Sequence, residues 1–485
     1  MAVTLDLDDI QGLIARGYGK LPAASFLLLR IQDPAAARRW LAMLADRVAP
    51  GRTSPDDAAT HVAFTHAGLA GLGLDDDALA AFPPEFAVGM TNPHRSRLLG
   101  DLGGNAPEHW HWGGPATPPV HLVLLLYARD EQRLQAAKAS YQAELTDAGL
   151  LPVWELPTTP LGERDPGGRE RFSREHFGFH DGISQPLVEG LAKVGPPANT
   201  IKAGEIILGY RNGYDRYTER PLLATGADPD GLLPRDPAGS GAPDLGRNGS
   251  YLVIRQLRQD VPGFWRFLDG ATRRPDGSSD PPARLRLAAK MVGRWPGGAP
   301  LVMAPQQDDP ALAEANDFRY DADGDADGTR CPLGAHVRRT NTRDSLDPGP
   351  GSRRSLDVAN RHRILRRGRT YGEPLTPDDA LAEVPPPHAG EDRGLHFMCL
   401  NANIARQFEF VQHTWANSAK FNGLYDDPDP IATASAELGS TFTVQASPVR
   451  QRVTGVPPFI TVLGGAYFFL PGIRAIRYLA SMGRA

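Results

Sequence analysis

Two kinds of apolar spacing alternate through the first third of this chain, and their order leaves few folds open. Residues 24–31 (ASFLLLRI) and 121–127 (HLVLLLY) are unbroken apolar runs of strand length, and 61–65 (HVAFT) and 151–156 (LPVWEL) read as shorter extended segments. Between them, 34–49 spaces Ala, Trp, Leu and Met at helical intervals, and 129–148 is a helix rich in alanine and glutamine. The resulting order is β-α-β-β-α-β, the split unit called ferredoxin-like.

A second copy follows with longer insertions. Residues 250–255 (SYLVIR) form a strand and 261–268 begin a helix; 362–366 and 394–400 are strands, 403–415 a helix and 459–463 a closing strand. The expected fold is therefore α+β, with two ferredoxin-like units at 1–165 and 166–485. The second unit carries a long insertion at about 270–360. Gly and Pro, 52 and 45 of 485 residues, cluster at 222–248, 276–283 and 345–353, which marks long ordered loops.

Charge and cysteine content exclude several classes of function. A net charge of −5 gives no reason to expect nucleic acid or an acidic membrane as partner. No apolar run reaches the ~18 residues of a membrane span. The N-terminal stretch MAVTLDLDD is acidic, without a basic leader or twin arginine, so cytoplasmic residence is expected. The two cysteines, Cys331 and Cys399, form no C-x-x-C pair, which argues against a disulfide framework, a cysteine-rich zinc site and thioether attachment of haem.

Two segments carry chemistry. In HFGFHDGISQP at 176–186, two glycines bracket Asp181 and the apolar Phe177, Phe179 and Ile183 surround it. A carboxylate so placed is costly to bury unless hydrogen-bonded or carrying a proton; a turn aspartate is the plainer alternative. In CPLGAHVRRTNTR at 331–343, His336 sits among small residues and precedes three arginines. Imidazole is a common proximal ligand of haem iron and arginine suits its propionates, although most histidines only pack. The string EHWHW at 108–112 reads as an aromatic loop, not a metal site. DADGDADG at 321–328 has calcium-loop spacing from Asp323 to Gly328, but position twelve is Gly334, which favours an acidic turn.

These strings, together with DIQGL at 9–13, RGYGK at 16–20, ILRRG at 364–368 and GGAYFFLP at 464–471, resemble the dye-decolourising peroxidases nearly end to end. The resemblance implies paired ferredoxin-like units of the dimeric α+β barrel type and a non-covalent haem b, and hence a peroxidase that oxidises bulky dyes and phenolics through a ferryl intermediate. It implies His336 as iron ligand, Asp181 as distal acid–base residue and Arg366 as distal arginine. Leu395 and Phe397 match the apolar distal wall, beside Ile183, and Arg339 and Arg343 would meet the propionates. Asp429 matches the acid behind the proximal imidazole, with Glu409 as rival. Asn341-Thr-Arg343 departs from the family's Asn-Pro-Arg. Hydrogen peroxide and organic reductants are the expected partners, in a monomer or homo-oligomer. An aspartate base predicts best turnover at mildly acidic pH. A haem-carrying or iron-releasing protein, or a cofactor-free paralogue, are the competing readings.

Overall fold

Strand β1 (Ala23–Ile31), helix α1 (Pro34–Leu44), β2 (Ala58–Phe64), β3 (Leu122–Ala128), α2 (Glu131–Leu145) and β4 (Leu150–Pro157) follow in the expected order. The computed structural model describes residues 3–164, 170–191, 195–433 and 440–483. The expected boundary at 165/166 lies outside them. Helix α1 starts where Asp33 accepts the amides of Ala35 and Ala36, with Pro34 at the first helical position. It stops at Leu44, short of the expected residue 49, because the chain turns there to reach β2.

The second unit repeats the pattern. It comprises β5 (Ser250–Gln259), α3 (Val261–Ala271), α4 (Pro281–Val292), α5 (His336–Thr340), β6 (Leu365–Arg366), β7 (Arg369–Tyr371), β8 (Gly394–Asn401) and β9 (Ile460–Leu470). Where one helix was expected at 403–415, two π-helical stretches stand instead, Ala405–Glu409 and Val411–Ala416. The fold is α+β throughout. Its strands form one antiparallel sheet in the order β6-β8-β5-β9-β2-β3-β1-β4, with β7 beside β6 on β8. Within each half the four strands keep the ferredoxin-like order, and the halves meet where Phe469 of β9 pairs with Phe64 of β2. The described strands stay open, with β4 and β6 as edges, and close no barrel.

Why β1 and β3 are apolar without alternation is visible in what covers them. Leu27 and Leu29 of β1 and Leu122, Leu124 and Leu126 of β3 pack with Trp40, Leu41 and Leu44 of α1 and Leu134 and Leu145 of α2. The alternate residues Phe26, Leu28, Val123, Leu125 and Tyr127 pack against Ile10, Leu13, Ile14, Ile206 and Ile207. A strand buried on both faces needs apolar residues at every position. The insertion builds a smaller core of its own from Trp295, Leu301, Phe318, Tyr320 and Cys331, and this core carries α5.

Leu125 is fully buried on the second of these faces, the one away from α1 and α2. We expect Leu125→Ala to cost about 2–5 kcal/mol in chemical denaturation; a loss below about 1 kcal/mol would contradict burial of this second face of the sheet.

Candidate active site

Residues of the insertion, the sheet and the segment after β4 converge on a cavity of about 250 Å³. Asp181 reaches it from a short strand, His180–Asp181, that pairs with Ser173 and Arg174. Gly178 and Gly182 have φ of 96° and 86°, a conformation that side-chain-bearing residues rarely adopt, so both turns flanking Asp181 call for glycine. The Asp181 carboxylate takes the Gly182 amide at 2.6 Å and Nη1 of Arg366 at 2.7 Å, both on Oδ1. Among the described residues its Oδ2 has no hydrogen-bond partner. Burial pushes this carboxyl up, but Arg366 and the amide outweigh it and hold it below the usual 3.8.

Arg366 sits at the sheet edge, opposite Cys399 of β8. Its backbone is gripped by Gln185, whose Oε1 accepts the Arg366 amide at 3.0 Å and whose Nε2 donates to the Arg366 carbonyl at 3.3 Å. The same segment reaches the histidine segment through Ser184, whose hydroxyl accepts Asn341 Nδ2 at 3.2 Å. The GISQP run after Asp181 therefore ties the carboxylate's segment both to Arg366 and to the segment that carries His336.

His336 opens α5 and lines the cavity with Val337, Thr340 and Asn341. Its Nδ1 lies 2.9 Å from Asp429 Oδ2. Asp429 is itself fixed, because its Oδ1 accepts the amides of Ile431 and Ala432 at 2.8 and 2.9 Å. Burial lowers the imidazole's pKa, yet the Asp429 charge and hydrogen bond prevail and raise it; Asp429 in turn is held below its usual value despite burial. With Nδ1–H directed at a carboxylate, Nε2 is the nitrogen left for a ligand. Glu409, the rival for this contact, is bound instead by Arg95 Nη1 at 2.7 Å and the Tyr467 hydroxyl at 2.9 Å.

Leu395 and Phe397 stand two residues apart on β8 and share the cavity wall with Ile183, Phe179, Val462 and Ile460. Arg339 and Arg343, expected to meet a cofactor's carboxylates, are not among the residues that line it. At about 100° per helical residue, Arg338 and Arg339 point roughly 130° away from the cavity-facing side of α5. The Arg339 guanidinium binds the Gly334, Trp415, Ser418 and Asp427 carbonyls. Arg343 lies over the Phe318 ring at 3.8 Å and donates to the Asn316 and Phe318 carbonyls.

Other arginines line the cavity instead. Arg255 is spent on a bidentate pair with Asp101, and Arg294 donates to the Gly298 and Ala315 carbonyls. Arg363 is buried and its Nη2 has no partner; burial, then Arg343 and Arg366, bring its pKa down to about 9. A buried guanidinium with an unpartnered donor on an apolar cavity is a place for an anion. Sequence reading passed over Arg363 and Gln185; the signals were a second arginine three residues before Arg366 and a glutamine four after Asp181.

The remaining motifs are structural in form. Trp112 is buried and donates to Gln256 Oε1 at 2.8 Å. Asp325 accepts the Arg330 and Cys331 amides and Arg338 Nη1, bracing the approach to His336. Among the described residues no group of three or more His, Cys, Asp or Glu could hold a metal ion, and no helix is long and apolar enough to cross a membrane.

A guanidinium-bound carboxylate and a carboxylate-backed imidazole opening on one apolar cavity define the site of an enzyme equipped for acid–base chemistry. No family model matches the chain. It is 30% identical over 504 residues to dye-decolorizing peroxidase msp1 of Mycetinis scorodonius, across 99% of this chain and 88% of that one. It is 31% identical over 503 residues to AauDyP1 of Auricularia auricula-judae, across 98% and 87%. It is 30% identical over 497 residues to the multifunctional dye peroxidase DyP2 of an Amycolatopsis species, across 98% and 96%. The crystal structure of a decolorizing peroxidase from Auricularia auricula-judae superposes with a TM-score of 0.77 at 27% identity, over 98% of this chain and 100% of that one. The chain thus belongs to the dye-decolorizing peroxidase family, and it is a peroxidase.

Two outcomes follow from the geometry. Asp429→Asn keeps the shape but loses the charge behind His336, and should weaken activity about 10–100-fold; an unchanged variant would remove Asp429 from the site. The basic form of Asp181 exists above its own lowered pKa, so it survives acid in which an ordinary carboxylate is protonated. Arg366→Met should release that carboxyl and move the acid limb of kcat/KM up by about 1–3 pH units. An acid limb that stays in place means that another group governs it.

Proposed function

We propose that the cavity holds a non-covalent haem b, bound through His336, and that the enzyme reduces hydrogen peroxide while oxidising bulky organic donors such as dyes and phenolics. The observation that carries this is the sharing of one cavity by His336, backed by Asp429, and the Asp181–Arg366 pair. The residues suit that group in two independent ways. His336 Nε2 has no protein partner among the described residues, and the buried Arg363 has a spare donor for a propionate, in the role first expected of Arg339 and Arg343.

Bound there, haem would supply the iron-centred reduction of peroxide and the one-electron oxidation of donors. His336 would hold the iron, and Asp429 would keep its Nδ1 protonated and its ring oriented. Asp181 Oδ2 would take the proton of peroxide and return it to the departing oxygen. Arg366 would stabilise the charge that develops as the O–O bond breaks. Leu395, Phe397 and Ile183 would keep the distal side dry.

Haem reconstitution followed by one equivalent of peroxide tests these roles. The wild type should give a sharp Soret band that is lost or displaced in His336→Ala. Asp181→Asn should bind haem but react with peroxide about 10²–10⁴-fold more slowly. A wild type that binds haem and leaves peroxide intact would instead be a carrier, and one that takes up no haem would end the cofactor assignment.

A further inference from the structure

Glu409 is a buried acid that the proposed peroxide chemistry does not use. Its Oε1 accepts the hydroxyl of Tyr467 at 2.9 Å, and its Oε2 is held by Arg95 Nη1 at 2.7 Å. Tyr467 stands on β9 and is buried as well. Its ring meets Phe408 edge-on with centroids 6.2 Å apart, and Phe408 lies 5.9 Å from Phe397. Both phenylalanines line the cavity. One aromatic ring thus separates a phenol from the cavity, and a carboxylate is already hydrogen-bonded to that phenol.

A buried phenol gives up an electron readily only if its proton leaves at the same time, since neither a phenol cation nor a phenolate is stable out of water. Burial pushes the Tyr467 hydroxyl well above its usual range, which keeps it neutral, and pushes Glu409 upward too, which suits it to receive a proton. Arg95 holds the carboxylate in place for that transfer. Arg255 and Asp101, the other charges near the phenol, neutralise each other in their own pair.

We propose that Tyr467 is a redox residue that takes up an oxidising equivalent from the cavity, with Glu409 as its proton acceptor. The assignment rests on the peroxidase reading, which supplies the oxidant. In the step, the Tyr467 O–H bond breaks, the proton passes to Glu409 Oε1, and one electron passes by way of Phe408 and Phe397 to the oxidised centre in the cavity. A neutral phenoxyl radical is left, shielded from solvent by burial. One electron from an organic donor and the proton from Glu409 then restore the phenol, and the donor leaves oxidised by one electron.

Haem-loaded protein, mixed with peroxide and rapidly frozen, is examined by electron paramagnetic resonance. The wild type should show a radical whose hyperfine structure collapses on incorporation of ring-deuterated tyrosine, and Tyr467→Phe should lose that signal. Glu409→Gln, which leaves the phenol in place, should form the radical roughly a hundredfold more slowly, the low end of what a positioned proton acceptor contributes. That variant decides the matter even if Tyr467→Phe does not fold. A tyrosyl signal that survives in Tyr467→Phe, or a rate indifferent to Glu409→Gln, overturns the proposal and leaves the peroxidase reading standing. A wild type that binds no haem or consumes no peroxide overturns both.

Discussion

The ion pair between Asp181 and Arg366 joins residues 185 positions apart at 2.7 Å, and much of the surrounding structure exists to bring them together. A carboxylate beside an apolar cavity keeps its charge only if a cation or several donors stand next to it. Arg366 can stand there because β6 is stitched to β8, which also presents Leu395 and Phe397 to the same space. Gln185 then fixes the arginine's backbone from the aspartate's own segment, so a slip of either strand or loop would break several hydrogen bonds at once.

The His336–Asp429 pair on the same cavity obeys the same electrostatic rule with the signs reversed. His336 would lose basicity on burial, but Asp429 restores it, and Asp429 stays charged because His336 itself, then Arg339 and the Ala432 amide, outweigh its burial. Around this pair Arg255 is neutralised by Asp101, while Arg294, Arg339 and Arg343 donate hydrogen bonds to backbone carbonyls. Arg363 lines the cavity with its Nη2 unpartnered, and the local balance therefore favours an anionic guest.

Glu409 shows how the fold assigns a group that composition leaves open. It lies on the π-helical stretch that also carries Phe408, so its backbone neighbours line the cavity while its carboxylate turns outward to Tyr467 and Arg95. Asp429 and Glu409 are equal candidates by residue type, and only the course of the chain between them separates a partner of imidazole from a partner of phenol.

By itself the sequence determined the periodicities that build β1, β3, β5 and β8, the two-fold repetition of the unit, and the motifs around Asp181, His336 and Arg366. These are properties of short runs: apolar spacing and glycine-shaped turns act over a few residues, and the motifs that carry the family resemblance are themselves short strings. Tertiary structure alone decided that Arg339 and Arg343 face backbone carbonyls while Arg363 faces the cavity, and that Gln185 grips Arg366. The helical stretch at 403–415 took π geometry, and the strands of the two units joined in one open nine-stranded sheet. The physical reason is that a guanidinium's partner depends on which carbonyls and carboxylates the fold brings within about 3 Å of it, and those groups come from segments dozens to hundreds of residues away.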